Sequence, residues 1–312
     1  MRFSIIIPTY NRCDYLESAI NSAIRQKDVE LEVLVMDNAS TDGTPELMKQ
    51  WSKDPRVKYI RQKSNIGMIP NWRSGVYDFA TGDWVIILSD DDELIDDGYL
   101  SKAEALISQN KELVIVHGNR IVSSDKRDIV DRRILPEVCN GEWMFLNYLR
   151  TPDVMFTFVT GLFNRNLATS LGCFNSSNVV GSDTMEFLRM SLHGDIGFIS
   201  DVVAKYRVHD DNPYFRFGVK YLLTDNIKTF EKPYQDALDK GVMNLKILHK
   251  WKRRMITQYI ESNLREIYLK GKGDVFLLKE FSVTAISLYP YSVFAFIKIK
   301  SILRLLKYWI CK

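Results

Sequence analysis

The chain has 312 residues, enough to bury a large core as one big domain or as a domain with a substantial appendage. Its 46% hydrophobic and 26% charged residues exclude the low-hydrophobicity, high-charge composition of a disordered chain, and a net charge of +3 is too small to argue for nucleic acid. Cys13, Cys139, Cys173 and Cys311 are too scattered for a zinc site or a disulfide framework, which suits a reducing cytoplasm.

The N-terminal apolar run Phe3 to Ile7 is too short for a signal peptide and reads as a first strand. Further strands are expected at Leu31 to Met36, Val57 to Ile60, Trp84 to Leu88 and Leu113 to His117. Between them, Tyr15, Leu16, Ala19, Ile20, Ala23 and Ile24 recur at helical spacing. A second helix is expected to start at Thr44-Pro45, with Thr44 as its cap. Trp72, Val76, Phe79 and Ala80 mark a third helix, and Leu100, Ala103, Leu106 and Ile107 a fourth. This alternation predicts an α/β fold on a mostly parallel sheet flanked by helices. Residues 120–140 are charged and weakly patterned, and read as a loop or irregular connection. A short helix ending near Gly172, a helix from about Asp183, and strands near Ile196 and from Val202 to Val208 follow. Beyond Asn212 the pattern is almost wholly helical, so the predicted domains are 1–212 and 213–312.

Three loop segments carry chemistry. Pro8-Thr9-Tyr10-Asn11-Arg12 ends the first strand, where open α/β sheets bind ligands, although a plain strand-to-helix turn has the same composition. Asp37-Asn38-Ala39-Ser40-Thr41-Asp42-Gly43-Thr44 ends the second, and a carboxylate at Asp37 is suited to accept the imide N–H of uracil or thymine. Ser89-Asp90-Asp91-Asp92-Glu93 gathers four mutually repelling carboxylates at the end of a buried strand, an arrangement that asks for water or a divalent cation; Mg²⁺ or Mn²⁺ fits such oxygen ligands. Asp183, with Glu186 three residues on, fits a capping box at the start of a helix, and His209 follows a strand end.

Together these segments, with Asn65-Ile66-Gly67, resemble glycosyltransferase family 2, an inverting, nucleotide-sugar-dependent family of GT-A fold, over about residues 1–210. The resemblance implies a donor pocket formed by Pro8, Thr9, Asn11, Arg12, Asp37, Asn65, Gly67 and Asp90. It further implies a Mn²⁺ or Mg²⁺ ion on Asp91 and His209, and Asp183 as the base that activates an acceptor hydroxyl. Ser89 stands where the first acid of the family's metal motif is common, leaving Asp90 to substitute for it. The expected donor is a UDP- or dTDP-sugar. The expected acceptor is a saccharide, lipid-linked as in bacterial O-antigen or capsule assembly.

Near the C-terminus, Ile299, Ile302, Leu303, Leu306, Trp309 and Ile310 share one helical face while Lys300, Arg304 and Lys307 lie opposite, and Lys298 and Lys312 flank them. This basic amphipathic pattern points to contact with the cytoplasmic face of a membrane, or else to a core helix with solvated lysines. A nucleotidyltransferase is disfavoured because no Gly-rich phosphate loop follows the first strand. A non-catalytic sugar-nucleotide or membrane-binding module is the remaining alternative.

Overall fold

The computed structural model describes residues 1–150, 157–175, 179–208, 218–241, 243–270 and 275–293. Strand β1 (Arg2–Thr9) pairs in parallel with β2 (Glu30–Asp37) on one side and β4 (Trp84–Ile87) on the other, and β2 pairs in parallel with β3 (Val57–Arg61). Ile5, Ile6, Ile7, Val33, Leu34 and Val35 are wholly buried, as expected where both faces of a parallel sheet are covered. The register sets Thr9 opposite Asp37, so the first two loops leave the sheet at one level.

Helix α1 (Cys13–Ile24) buries Leu16, Ala19, Ile20 and Ala23, and α2 (Thr44–Trp51) buries Met48. Helix α3 (Met68–Ser74) runs into a π-helical turn at Gly75–Phe79, closed by Ala80 N–H donating to the Gly75 carbonyl at 2.8 Å. Glycine is required at 75 by proximity: a Cβ there would lie 2.9 Å from Ile6 Cγ2. Thr44 is the first residue of α2 rather than its cap; Gly43 holds the cap position, and the Asp42 carboxylate accepts the Thr44 N–H at 3.0 Å. An Asp two residues upstream reaches that orphan donor directly, which leaves the threonine free to enter the helix.

Past β4 the sheet becomes mixed. Strand β9 (Leu162–Asn164) is antiparallel to both β4 and β6 (Leu113–Ser124), β10 (Asp195–Arg207) runs parallel to β6, and short β5 (Glu93–Leu94) edges β10. Helix α4 (Tyr99–Gln109) buries Leu100, Ala103, Leu106 and Ile107. The segment expected to be a loop is instead a hairpin: β6 continues to Ser124 and returns as β7 (Arg127–Asp131), pairing Arg120 with Asp131. Four of the five β7 residues are exposed, so this strand has no need of the apolar alternation by which strands are recognised. Strand β8 (Val138–Cys139) also pairs with β10, which is one strand with register shifts between Ile199 and Ala204 rather than two. Helices α5 (Gly141–Asn147), α6 (Arg165–Ser170) and α7 (Ser182–Ser191) complete this part.

The chain divides into two units, Met1–Ser177 with Ser182–Asn212, and Asn178–Gly181 with Pro213–Lys312. The second contains α8 (Val219–Thr224), α9 (Lys228–Lys240), α10 (Leu245–Lys270) and α11 (Val275–Leu288), with Leu223, Ile256, Ile260, Phe281 and Ala285 in its core. Among the described residues, no helix is long and apolar enough to cross a membrane. The expected basic amphipathic helix at 299–310 lies outside the described residues.

Candidate active site

The first two loops are interlocked by their own polar side chains. Asn11, at φ 54°, accepts the Thr41 N–H at 2.7 Å and donates its own N–H to Ser40 Oγ at 2.9 Å. Asp42 accepts the Cys13 N–H and the Thr44 N–H, both at 3.0 Å, so one carboxylate serves the N-termini of α1 and α2. Burial alone would raise this acid, but those bonds bring it down to about 2. Asp37 is fully buried, accepting from Ser40 N–H at 2.8 Å and from Tyr59 Oη at 2.5 Å, with Arg61 Nε 3.5 Å away. Its oxygens keep second acceptor lobes, but neither oxygen faces solvent, so a ring N–H reaches it only as Tyr59 or Arg61 gives way.

Asn65 Oδ1 accepts from Asn38 Nδ2 and from Gly67 N–H, each at 2.9 Å, and Asn38 Oδ1 accepts from Ile66 N–H at 2.9 Å. Gly67 is at φ 91°, and a Cβ there would make only ordinary contact with the Pro70 ring at 3.7 Å, so backbone conformation, not crowding, demands glycine. Pro8 pairs with Met36 in the β1–β2 register, directly before Thr9.

The acidic turn is closed by Asp92 N–H donating to the Ser89 carbonyl at 3.1 Å. Asp92 Oδ1 accepts the Arg207 N–H at 2.8 Å, and the Arg207 guanidinium reaches Glu93 at 3.0 Å, which ties the turn to β10. Asp90 and Asp91 both meet Arg12: Nη1 lies 3.4 Å from Asp90 Oδ1 and also contacts Asp91 Oδ2. Burial lifts Asp90 to about 6 despite the opposing Arg12 charge, and burial followed by the Asp91 charge raises Asp92 well above the usual carboxylate range. No group of three His, Cys, Asp or Glu side chains suited to a metal converges among the described residues, which do not include His209. Asp90 and Asp91 nonetheless fit a Mg²⁺ or Mn²⁺ ion: both are hard oxygen donors, a cationic group already lies against them, and such ions take one or two carboxylates plus phosphate oxygens.

Asp183 is the second residue of α7, and its Oδ1 accepts the Thr184 N–H at 2.7 Å. The residue keeps part of its surface open while its carboxyl group is densely surrounded by protein atoms; burial raises it to about 6, opposed by the Thr184 N–H and the Arg120 charge. No capping box forms. Glu186 is buried, accepting from Phe174 N–H and pairing with Arg189 Nη1, both at 2.7 Å. Arg120 and Tyr206 link the two acidic groups. The Arg120 charge acts on both Asp92 and Asp183, while Tyr206, raised by burial, feels Asp92, Asp183 and Asp91. Arg120 itself stacks 5.1 Å over the Tyr206 ring and bonds Asp131 at 3.0 Å.

The model of "Glycosyl transferase family 2" matches residues 4–167, more than half of the chain. The chain belongs to glycosyl transferase family 2. Among family relatives it is 27% identical over 223 residues to abequosyltransferase RfbV of Salmonella typhimurium, covering 66% of this chain and 65% of the relative. It is 36% identical over 128 residues to the GalNAc(5)-diNAcBac-PP-undecaprenol beta-1,3-glucosyltransferase of Campylobacter jejuni, covering 40% of each. The chain thus spans less than two thirds of the length of these relatives. Its fold resembles that of S. aureus TarS 1-349, with a TM-score of 0.66 at 17% identity over 93% of this chain and 81% of that one. It also resembles the mannosyltransferase PcManGT from Pyrobaculum calidifontis in complex with GDP-Man and Mn²⁺, with a TM-score of 0.54 at 18% identity over 95% and 86% of the two chains. The fold is therefore the GT-A fold of this family.

Sequence reasoning about this family 2 member missed Tyr59, Arg61, Arg120, Tyr206 and Arg207. Arg120 and Tyr206 come from adjacent strands 86 residues apart in sequence, paired as Arg120↔Ala204 and Tyr206↔Val122. The only signal available was a charged residue interrupting the apolar run of β6.

Proposed function

We propose that the chain transfers a sugar, with inversion, from a UDP- or dTDP-linked donor to a saccharide hydroxyl. The observation that carries this reading is the grouping of Asp183 with the Asp90–Asp92 turn around Arg120 and Tyr206, in a member of a glycosyl transferase family. Pro8, Thr9, Asn11, Arg12, Asn65 and Gly67 line the donor side, with Asp37 reached as Tyr59 or Arg61 gives way, and are held by the bonds that lock the first two loops to each other and the second to Asn65. Such rigidity supplies the entropic part of the acceleration by fixing donor against acceptor. Asp183 takes the proton of the attacking hydroxyl at Oδ2, its Oδ1 being engaged by Thr184 N–H. Asp91, with Asp90 and His209, would hold Mn²⁺ or Mg²⁺, which would neutralise charge on the departing diphosphate.

The acceptor is lipid-linked and the setting is bacterial surface-polysaccharide assembly, O-antigen or capsule, at the cytoplasmic face of the membrane. A relative named for an undecaprenol-diphosphate-linked acceptor supports this, as do the exposed Phe276 and Val283 of α11 and the basic residues that follow them in sequence. A thermal-shift panel of nucleotide sugars with Mn²⁺ tests the donor, since a ligand at about 100 times its Kd adds roughly 2.7 kcal/mol. Asp91→Ala is expected to abolish Mn²⁺-dependent UDP binding, and Asp90→Ala to weaken it less. Undiminished Mn²⁺-dependent affinity in Asp91→Ala would sink the metal assignment, and silence across the whole panel would sink the donor.

A further inference from the structure

Every acid of the turn at residues 90–93 has a protein cation or amide against it, and these partners differ in how readily they can leave. Asp92 is bonded to a backbone N–H of β10, and Glu93 to the guanidinium of the same Arg207, which also lies 5.2 Å over the Tyr15 ring. Asp90 and Asp91 share Arg12, whose side chain is 35% exposed and extends from the cap position of α1. The backbone N–H groups on either side of it, of Asn11 and Cys13, donate to Ser40 Oγ and to the Asp42 carboxylate, so the loop stays in place when the long side chain changes rotamer.

We propose that Arg12 is the resident counter-cation of the metal carboxylates, displaced when a divalent ion binds and passed to the donor diphosphate, so that metal and nucleotide uptake are coupled through one side chain. This rests on the metal-dependent donor reading above. A divalent ion cannot approach Asp91 while a guanidinium occupies the same oxygen without strong like-charge repulsion. Release of the guanidinium from a part-buried pair is unfavourable unless another anion receives it, and a diphosphate matches the planar fork of arginine. By linkage, the displacement weakens metal binding to the nucleotide-free protein, and the nucleotide restores it to the same degree that the metal strengthens nucleotide binding.

Titration of the full chain with Mn²⁺, following the electron paramagnetic resonance signal of the free ion with and without UDP, tests this apart from activity. Arg12→Gln is expected to bind Mn²⁺ alone roughly tenfold more tightly than the wild type, in keeping with the loss of a charge-assisted contact. UDP should then strengthen Mn²⁺ binding by a smaller factor in Arg12→Gln than in the wild type. Arg12→Lys, which keeps the charge but not the fork, should also show a reduced UDP factor, and it carries the test if the glutamine variant does not fold. Unchanged Mn²⁺ affinity in Arg12→Gln, or a UDP factor equal to that of the wild type in either variant, overturns the role of Arg12 and leaves the metal reading standing. Absence of Mn²⁺ binding to wild type and variants alike, even with UDP, overturns both.

Discussion

Asp183 and Glu186 lie three residues apart on α7, and the structure gives them opposite expected responses to loss of charge. Glu186 is 1% exposed and Arg189 5% exposed, with 2.7 Å between their charged groups; the other Glu186 oxygen holds Phe174 N–H, and Arg189 Nη2 donates to the Leu171 carbonyl at 2.5 Å. Glu186→Gln keeps the volume and one acceptor but leaves the buried Arg189 charge without its carboxylate. Breaking a buried pair from one side costs about 3–5 kcal/mol, and the retained acceptor puts this case near 3 kcal/mol. At roughly 2–4 °C per kcal/mol for a unit of this size, the melting temperature should fall by about 6–12 °C. Among the described residues Asp183 makes no ion pair, and asparagine keeps an oxygen for Thr184 N–H, so the melting temperature of Asp183→Asn should not fall below that of the wild type while transfer falls by about 10²- to 10⁴-fold. Calorimetry together with sugar transfer below both melting temperatures separates the two roles. Near-normal turnover in Asp183→Asn, with folded Glu186→Gln inactive, would refute the assignment of the base.

Because Asp183 is lifted by burial to about 6 and acts ionised, kcat/KM should rise roughly tenfold per pH unit below that value and level off above it, and a flat profile from pH 5 to 8 in wild type would exclude this titration. The folded state holds this proton more tightly than the unfolded chain, whose ordinary value is 3.8, so stability from this group is lost as pH rises between 3.8 and about 6; relative to wild type, Asp183→Asn should therefore gain stability over that interval, as paired melts at pH 4 and pH 7 would show. Removing the chain after Tyr291 should leave a folded, donor-binding protein that no longer sediments with anionic vesicles, because each basic residue near such a surface contributes on the order of 1 kcal/mol; unfolding of the truncated protein would favour the core-helix alternative.

The parallel part of the sheet was legible because strands buried on both faces must be apolar throughout, and the runs containing Ile5 to Ile7 and Val33 to Val35 are. The loops at their ends were legible for a related reason: four acids in succession after Leu88, or Asp and Asn at the end of a buried strand, are costly unless they serve a site. The hairpin of β6 and β7 was not legible, since an exposed two-stranded ribbon has little burial to impose a period.

Local sequence thus determined which residues carry charge at the strand ends, and the family to which the chain belongs. Tertiary structure decided which of those charges meet. Glu186 and Asp183 are equally acidic in the sequence, but helical geometry turns one into the core against Arg189 and the other toward the Arg120–Tyr206 cluster. Arg12 and the Asp90–Asp91 pair are nearly eighty residues apart along the chain, and only the adjacency of β1 and β4 brings their loops together. Electrostatic coupling falls with distance in space, so spacing along the chain carries no record of it until the sheet is assembled.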